Sequence, residues 1–157
     1  MVTLVKCDLS YLYLEAVNTY TYGSVKKLSI IGTNKEVISF KNIFDAFPRV
    51  EWIITTNMIP PKTWIADVCQ YQTHRLSALS IEGTPEQIGM LTADEIMPFL
   101  KAQHPDFCLT LQIKVKKDKA KHEYVRKLRS SLGNVNLWQV DEKVIITLVE
   151  DWYILNF

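Results

Sequence analysis

The chain has 157 residues, of which 48% are hydrophobic and 22% are charged, a composition typical of a globular domain and unlike that of a disordered chain. Its 18 basic and 17 acidic residues leave a formal net charge of +1, so the overall charge favours neither nucleic acid nor membrane as a partner. No apolar run approaches the ~18 residues of a membrane span, and Lys6 and Asp8 interrupt the apolar start in a way unlike a signal peptide. We therefore expect one cytoplasmic or nuclear domain over residues 1–157.

Residues 1–23 form an N-terminal region in which we expect one or two strands, because residues 2–17 are rich in Val, Leu and Tyr. Within it, residues 9–14 alternate with a period near two, which favours a strand. The Leu, Glu and Ala content of the same stretch leaves a helix possible.

An internal repeat marks residues 24–116. The segment LSIIGT at residues 28–33 returns as LSIEGT at residues 79–84, and the apolar segment at residues 50–55 lies about midway between them. A fourth apolar segment follows at residues 108–113, and the apolar patterns of the four predicted strands begin at Val25, Val50, Leu76 and Cys108. We expect the first three segments to be parallel strands of one sheet, with residues 50–55 in the middle.

Helical patterns lie between these strands, over residues 35–47 and residues 62–71 and after Thr92, which forms a capping-box pattern with Glu95. Strand and helix alternating with a period near 25 residues predict an α/β fold with a parallel sheet flanked by helices. The period lies within the range of leucine-rich repeats, although their usual asparagine is missing. We expect a short, irregular leucine-rich-repeat-like solenoid.

Residues 117–157 depart from the repeat and predict a C-terminal cap. A helix is expected from Lys119, followed by an antiparallel β-hairpin of residues 136–140 and 143–150, with residues 153–157 as a possible last strand. A solenoid needs such a cap because its last repeat would otherwise expose apolar surface.

Five blocks of sequence resemble the C-terminal regions of nematode F-box proteins, the F-box-associated or FTH-type domains. They read VKKLSIIG, FPRVEWI, RLSALSIEGTPE, LTADEIMPFLKAQHPDF and VIITLVEDWYILNF, and the resemblance extends over roughly residues 24–157. The resemblance implies a substrate-recruiting surface within a cullin-type ubiquitin ligase. No F-box precedes residue 24, so we expect either a truncated form or a member that only binds, with a ligase adaptor as partner if an F-box precedes Met1.

No motif predicts catalysis, a bound metal or a cofactor, and we expect a protein that is not an enzyme. The histidines occur singly, the glycines are scattered and no CxxC pair exists. Three cysteines cannot all pair with one another, which indicates reduced thiols. We expect Cys69 and Cys108 to be buried and inert.

The strand face opposite the helices is the first candidate site. Alternation along the strands places Ile31, Trp52 and Ile54 on this face, flanked by Lys27 and Glu82. If the face is open, these residues form a protein-binding hot spot, and if another layer covers it, Trp52 is ordinary core. Trp64, Trp138 and Trp152 stand in apolar patterns and are expected to be structural.

The charged segment after the fourth strand is the second candidate. Its cations predict a positive face that is solvated, binds an acidic protein or binds nucleic acid through phosphates. They are Lys114, Lys116, Lys117, Lys119, Lys121, Arg126, Lys127 and Arg129. We expect a protein–protein interaction module that recruits a substrate or partner for a ubiquitin ligase. The alternatives are a nucleic-acid-binding module that uses this segment and, more remotely, an enzyme with an unrecognised site.

Overall fold

The seven strands of the described residues form one sheet in which each strand is hydrogen-bonded to the strand that follows it in the sequence. The structure is a computed structural model that describes residues 1–114, 119–132, 144–150 and 153–155. Strands β1 to β6 pair in parallel, and β7 pairs antiparallel with β6. The elements are β1 (Val2–Val5), α1 (Tyr11–Tyr20), β2 (Lys27–Ile31), α2 (Phe40–Ala46), β3 (Trp52–Thr56), α3 (Trp64–Tyr71), β4 (Ala78–Gly83), α4 (Pro85–Ile88), α5 (Ala93–Ala102), β5 (Cys108–Lys114), α6 (Lys119–Leu132), β6 (Val144–Glu150) and β7 (Tyr153–Leu155). The predicted α/β class and the parallel order of the strands at residues 28–33, 50–55 and 79–84 are confirmed.

One face of the sheet builds the core. Alternate strand residues are buried against apolar residues of the helices in a single hydrophobic cluster. The buried apolar side chains of β1 to β5 are Leu4, Leu28, Ile30, Ile53, Leu79, Ile81, Leu109, Leu111 and Ile113. The fourth unit begins its buried pattern at Phe107, not at Cys108 as expected, because Cys108 is only half-buried.

An edge-to-face aromatic column joins the helix layer to the sheet. The rings of Trp64 and Phe99 have centroids 5.7 Å apart, and those of Phe99 and Phe107 lie 5.6 Å apart, with an interplanar angle of 81° in both pairs. The indole N–H of Trp64 donates to the Ile88 carbonyl at 3.4 Å, which satisfies its buried polar group. Trp64 is therefore structural, as predicted.

Helices α5 and α6 begin at the positions predicted from the sequence. At the start of α5, Thr92 Oγ1 accepts a hydrogen bond from the Glu95 amide, and the Glu95 carboxylate accepts one from the Thr92 amide, both at 3.3 Å. This reciprocal pair is the predicted capping box. Helix α6 begins at Lys119 as expected and buries Tyr124 and Leu128.

The expectation of a strand at residues 9–14 is wrong, because this stretch enters helix α1. The Asp8 carboxylate accepts hydrogen bonds from the amide and hydroxyl of Ser10, at 2.9 and 2.8 Å, and fixes the turn before the helix. In α1 only Leu14 is fully buried, so the period-two pattern reflects exposed tyrosines rather than a second sheet face.

The helix expected over residues 35–47 is shorter, since α2 covers only Phe40–Ala46. The Glu36 carboxylate accepts hydrogen bonds from the amide and hydroxyl of Thr33, and Val37 forms a parallel bridge with Ile59. These contacts hold the stretch before Ser39 extended. Ser39 then begins the helix by accepting a hydrogen bond from the Asn42 amide.

The first arm of the expected C-terminal hairpin, residues 136–140, lies outside the described residues. The second arm contains β6, which pairs in parallel with β5. The last strand expected within residues 153–157 is observed as β7.

Gly32 directly follows β2, and its amide donates to the Thr56 carbonyl at 2.9 Å. A Cβ at this position would overlap Met58 Sδ and approach the Asn57 carbonyl oxygen to 2.7 Å. We expect Gly32→Ala to lower the free energy of unfolding by about 1–3 kcal/mol, because backbone must move to relieve the overlap. Gly83→Ala is the matched control, since the three atoms nearest to its Cβ would be side-chain atoms of Ile88 and Gln87 at 3.2–3.3 Å. Equal losses in urea denaturation would contradict this account.

The Thr33–Glu36 contact makes the free energy of unfolding depend on pH. Hydrogen bonds from Thr33 lower the pKa of Glu36 from 4.5 to about 2. A carboxyl whose pKa is lower in the folded state stabilises the fold above its unfolded pKa, so we expect this contribution to disappear as pH falls from 4.5 to about 2. Urea midpoints of the native chain and Glu36→Gln should therefore differ at neutral pH and converge toward pH 2. A constant difference over that range would refute the assignment.

Candidate functional site on the outer face of the sheet

The face of the sheet opposite the helices, called here the outer face, is largely accessible. Along β1 to β5 it carries Thr3, Val5, Lys27, Ser29, Ile31, Trp52, Ile54, Thr56, Ala78, Ser80, Glu82, Cys108, Thr110, Gln112 and Lys114, of which only Glu82 is buried. Trp52 and Ile54 are each 38% exposed, whereas Trp64 is 1% exposed. Among the described residues no layer buries Trp52. Trp138 and Trp152 lie outside that part of the chain.

Strand register arranges the apolar side chains of the outer face in a diagonal, called here the apolar stripe, which consists of Val5, Ile31, Ile54 and Trp52. Val5 pairs with Ile31 across β1 and β2, and Ile31 pairs with Thr56 of β3. Ile54 stands two positions before Thr56, so it is the diagonal neighbour of Ile31. Trp52 is the next outer-face residue along β3. The expected side-by-side cluster is thus a stripe in which Ile54 separates Ile31 from Trp52.

Val5 is a member of the stripe that sequence reasoning missed. Its strand carries no copy of the internal repeat, so only the pairing of β1 with β2 reveals its place. At 52% exposure it extends the apolar surface to the edge strand. The signal that could have found it is the alternation of buried Leu4 with exposed Val5.

A cation orders the tryptophan at the end of the stripe. Lys27 pairs with Trp52 in the strand register, and its ammonium nitrogen lies 4.1 Å from the centroid of the indole ring. A cation over an indole face at an exposed site contributes about 0.5–1 kcal/mol. The contact holds the ring in one place, which reduces the ordering entropy lost on binding a partner.

Glu82 does not offer a free carboxylate to a partner, contrary to its predicted role. It is buried and forms an ion pair with Lys114 of the neighbouring strand. The Lys114 ammonium also donates to Asn57 Oδ1 at 3.3 Å. A carboxylate taken out of water requires such a partner, which explains why the acid and the lysine occupy adjacent strands.

The basic segment does not form one described positive face. Lys114 belongs to the outer face and is paired with Glu82, while Lys127 pairs with Glu123 at 2.6 Å and lowers the pKa of that carboxyl. Arg126 is exposed. Lys116 and Lys117 lie outside the described residues, as do the side chains of Lys119, Lys121 and Arg129. The described part of the segment therefore gives little support to a phosphate-binding surface.

The three cysteines are free thiols, as expected, but Cys69 is not buried. On α3 the core-facing positions are Trp64 and Val68, and Cys69 follows one position later, about 100° around the helix. Partial desolvation raises the pKa of its thiol, which disfavours the nucleophilic thiolate. Cys7 and Cys108 are half-buried.

Within the described ranges, no group of three or more His, Cys, Asp or Glu residues could hold a metal ion. No described helix has the length and apolar character needed to cross a membrane. The chain matches no family model, no curated protein and no solved structure.

Two tryptophans provide a matched test of this placement. We expect Trp64→Ala to lower the free energy of unfolding by about 3–5 kcal/mol, because it empties a core site and breaks the aromatic column. We expect Trp52→Ala to cost about 1 kcal/mol, through the lost cation–π contact and partial burial. Urea denaturation of both variants measures the difference. A loss for Trp52→Ala as large as that for Trp64→Ala would place Trp52 in the core.

Proposed function

We propose that the chain is a protein-recognition module that binds its partner on the outer face of the sheet. The observation that carries the proposal is the apolar stripe, which ends on a half-exposed tryptophan held by Lys27. Tryptophan is among the residue types that contribute most binding energy at protein interfaces when neighbouring contacts exclude water from it. Trp52 is thus the expected hot spot, with Ile54, Ile31 and Val5 beside it.

The type of sheet gives a second argument. Parallel sheets in proteins are usually covered on both faces, because their strands are apolar on both sides. Here the inner face is covered by helices, while the outer face combines the apolar stripe with small polar residues such as Ser29 and Ser80. A partner that covers the stripe would complete the burial that this class of sheet normally has.

A short leucine-rich-repeat-like solenoid is the architecture that we propose for this surface. Supporting it, the register pairs Val2 with Leu28, Leu28 with Ile53 and Ile53 with Leu79, so successive strands stack at a near-constant spacing along the chain. In such an arrangement the C-terminal hairpin would act as a cap over the last repeat.

The biological role that we propose is recruitment of a substrate or partner to a cullin-type ubiquitin ligase, in the cytoplasm or nucleus. Its support is the resemblance of residues 24–157 to the F-box-associated regions of nematode proteins, together with three free thiols that fit a reducing compartment. This role requires two separate contacts, one with the recruited protein and one with a ligase adaptor.

Partner capture with Trp52→Ala tests the recognition surface. We expect the variant to bind the partner recovered by the native chain about thirtyfold more weakly, which corresponds to a hot-spot loss of about 2 kcal/mol. Leu12→Ala is the control, because Leu12 is 75% exposed but lies on α1, away from the outer face. Recovery of a ligase adaptor by both variants would support the ligase role. Undiminished partner binding by Trp52→Ala would rule out the proposed surface.

A further inference from the structure

Positive charge is concentrated at one edge of the sheet, where strands β2, β3 and β4 begin, called here the strand-start edge. Arg49 and Arg75 are exposed there, and they stand one residue before the buried Val50 and Leu76 of successive units. The exposed cations and imidazoles of this edge are Lys26, Lys27, Arg49, His74, Arg75 and His104.

Backbone hydrogen bonds align the successive units at this edge. The amides of Glu51 and Trp52 both donate to the Lys26 carbonyl, at 2.8 and 3.0 Å. The amides of Ser77 and Ala78 donate in the same way to the Glu51 carbonyl, at 2.8 and 3.1 Å. Neighbouring parallel strands lie about 4.8 Å apart, so the residues that precede each strand form one continuous row.

Glu51 of the strand-start edge is already engaged, because the Lys26 ammonium donates to its carboxylate at 2.8 Å. The Asp106 carboxylate is exposed and lies 3.6 Å from Nδ1 of His104, beyond hydrogen-bond distance, because that nitrogen accepts from the Asp106 amide at 3.2 Å. The hydrogen bond from Lys26, followed by smaller charge effects of His74 and His104, holds the pKa of Glu51 below its usual value. Within the part of the chain that the structure describes, Lys27, Arg49 and Arg75 have no carboxylate partner.

The opposite edge of the sheet lacks this excess. There Glu82 is paired with Lys114, and Glu36 accepts its hydrogen bonds from Thr33. Asp8, whose carboxylate accepts hydrogen bonds from Ser10, follows the exposed Lys6 two positions later in the chain. The strand-start edge therefore carries cations without a carboxylate partner, of which Lys27 contacts Trp52, whereas the opposite edge carries both signs of charge.

We propose that the partner presents an acidic segment, whose carboxylates lie along Lys27, Arg49 and Arg75 and whose apolar side chain packs on Trp52. This inference rests on the proposed function and adds the chemistry of the partner. Lys27 serves both parts of the contact, since its ammonium lies over the indole and still has N–H groups for a carboxylate.

The apolar stripe favours a polypeptide over a nucleic acid as the bearer of the negative charge. Single-stranded nucleic acid binds to basic grooves whose aromatic residues stack successive bases. Beyond Trp52 the stripe continues with Ile54, Ile31 and Val5, which offer aliphatic surface and no second ring. This aliphatic surface can pack against apolar side chains that stand between the acidic residues of a peptide.

A peptide array probed with the full chain tests the inference. Its peptides carry one Leu or Phe among Asp and Glu residues, and each has a partner peptide in which Asn and Gln replace the acids. The edge variant is Arg49→Gln with Arg75→Gln, which leaves the Lys27–Trp52 contact in place. The control variant is Lys62→Gln with Lys101→Gln, which removes the same charge from exposed positions beside α3 and on α5.

We expect the native chain and the control variant to prefer the acidic peptides about tenfold, and the edge variant to lose that preference. Added salt should weaken the acidic peptides selectively. Trp52→Ala should weaken acidic and neutral peptides alike. If Trp52-dependent binding is indifferent to peptide charge, the inference fails and the proposed function stands.

Two other results would overturn the inference. If no peptide shows binding that depends on Trp52, both the inference and the proposed function fail. If a single-stranded oligonucleotide binds through Arg49 and Arg75 more tightly than the acidic peptides do, the strand-start edge is a nucleic-acid surface instead.

Discussion

The parallel hydrogen-bond ladder between consecutive strands is the constraint on which the rest of the structure depends. Because consecutive strands from β1 to β6 pair in parallel, the connections between them must return over the sheet, and the helices of these connections share the inner face. Alternation then sends Leu28, Ile53 and Leu79 into one core and leaves the residues between them on the other face. The basic strand-start edge follows because the ladder stacks equivalent positions of successive units. The apolar stripe follows because the register places Ile54 diagonally across from Ile31.

Much of the fold could be predicted, because its strongest determinants are local and repeated. The echo of residues 28–33 at residues 79–84 predicts strands that share a phase, and the Thr92–Glu95 pair begins its helix through contacts three residues apart. The failures have a different physical origin. A period-two pattern of tyrosines and leucines at residues 9–14 indicates a strand, yet tertiary packing buries only Leu14 and leaves the tyrosines in water. In the stretch before α2, the Glu36 side chain competes successfully with helix formation by bonding Thr33.

The sequence predicts which residues share the outer face, but it does not predict which of them are adjacent across the strands. Strand alternation alone places Ile31, Trp52 and Ile54 together, whereas the register between strands decides that Ile54 separates the other two. The burial of Glu82 could not be predicted locally, because its ion-pair partner Lys114 is distant in the sequence and comes close only when β4 and β5 pair. Exposure of Cys69 likewise depends on which side of α3 the core occupies. Long-range pairing of this kind leaves no local trace in a single sequence.

The openness of the outer face is the central claim, and adjacent isoleucines measure it directly. Ile53 and Ile54 stand side by side in β3 but point to opposite faces, as do Ile30 and Ile31 in β2. With methyl-labelled isoleucines and a soluble gadolinium chelate, NMR reports how closely solvent approaches each side chain. We expect strong broadening of the Ile54 methyl signal and an intermediate effect at Ile31, with Ile53 and Ile30 protected. Equal protection of Ile53 and Ile54 would show that another layer covers the outer face and would contradict the account.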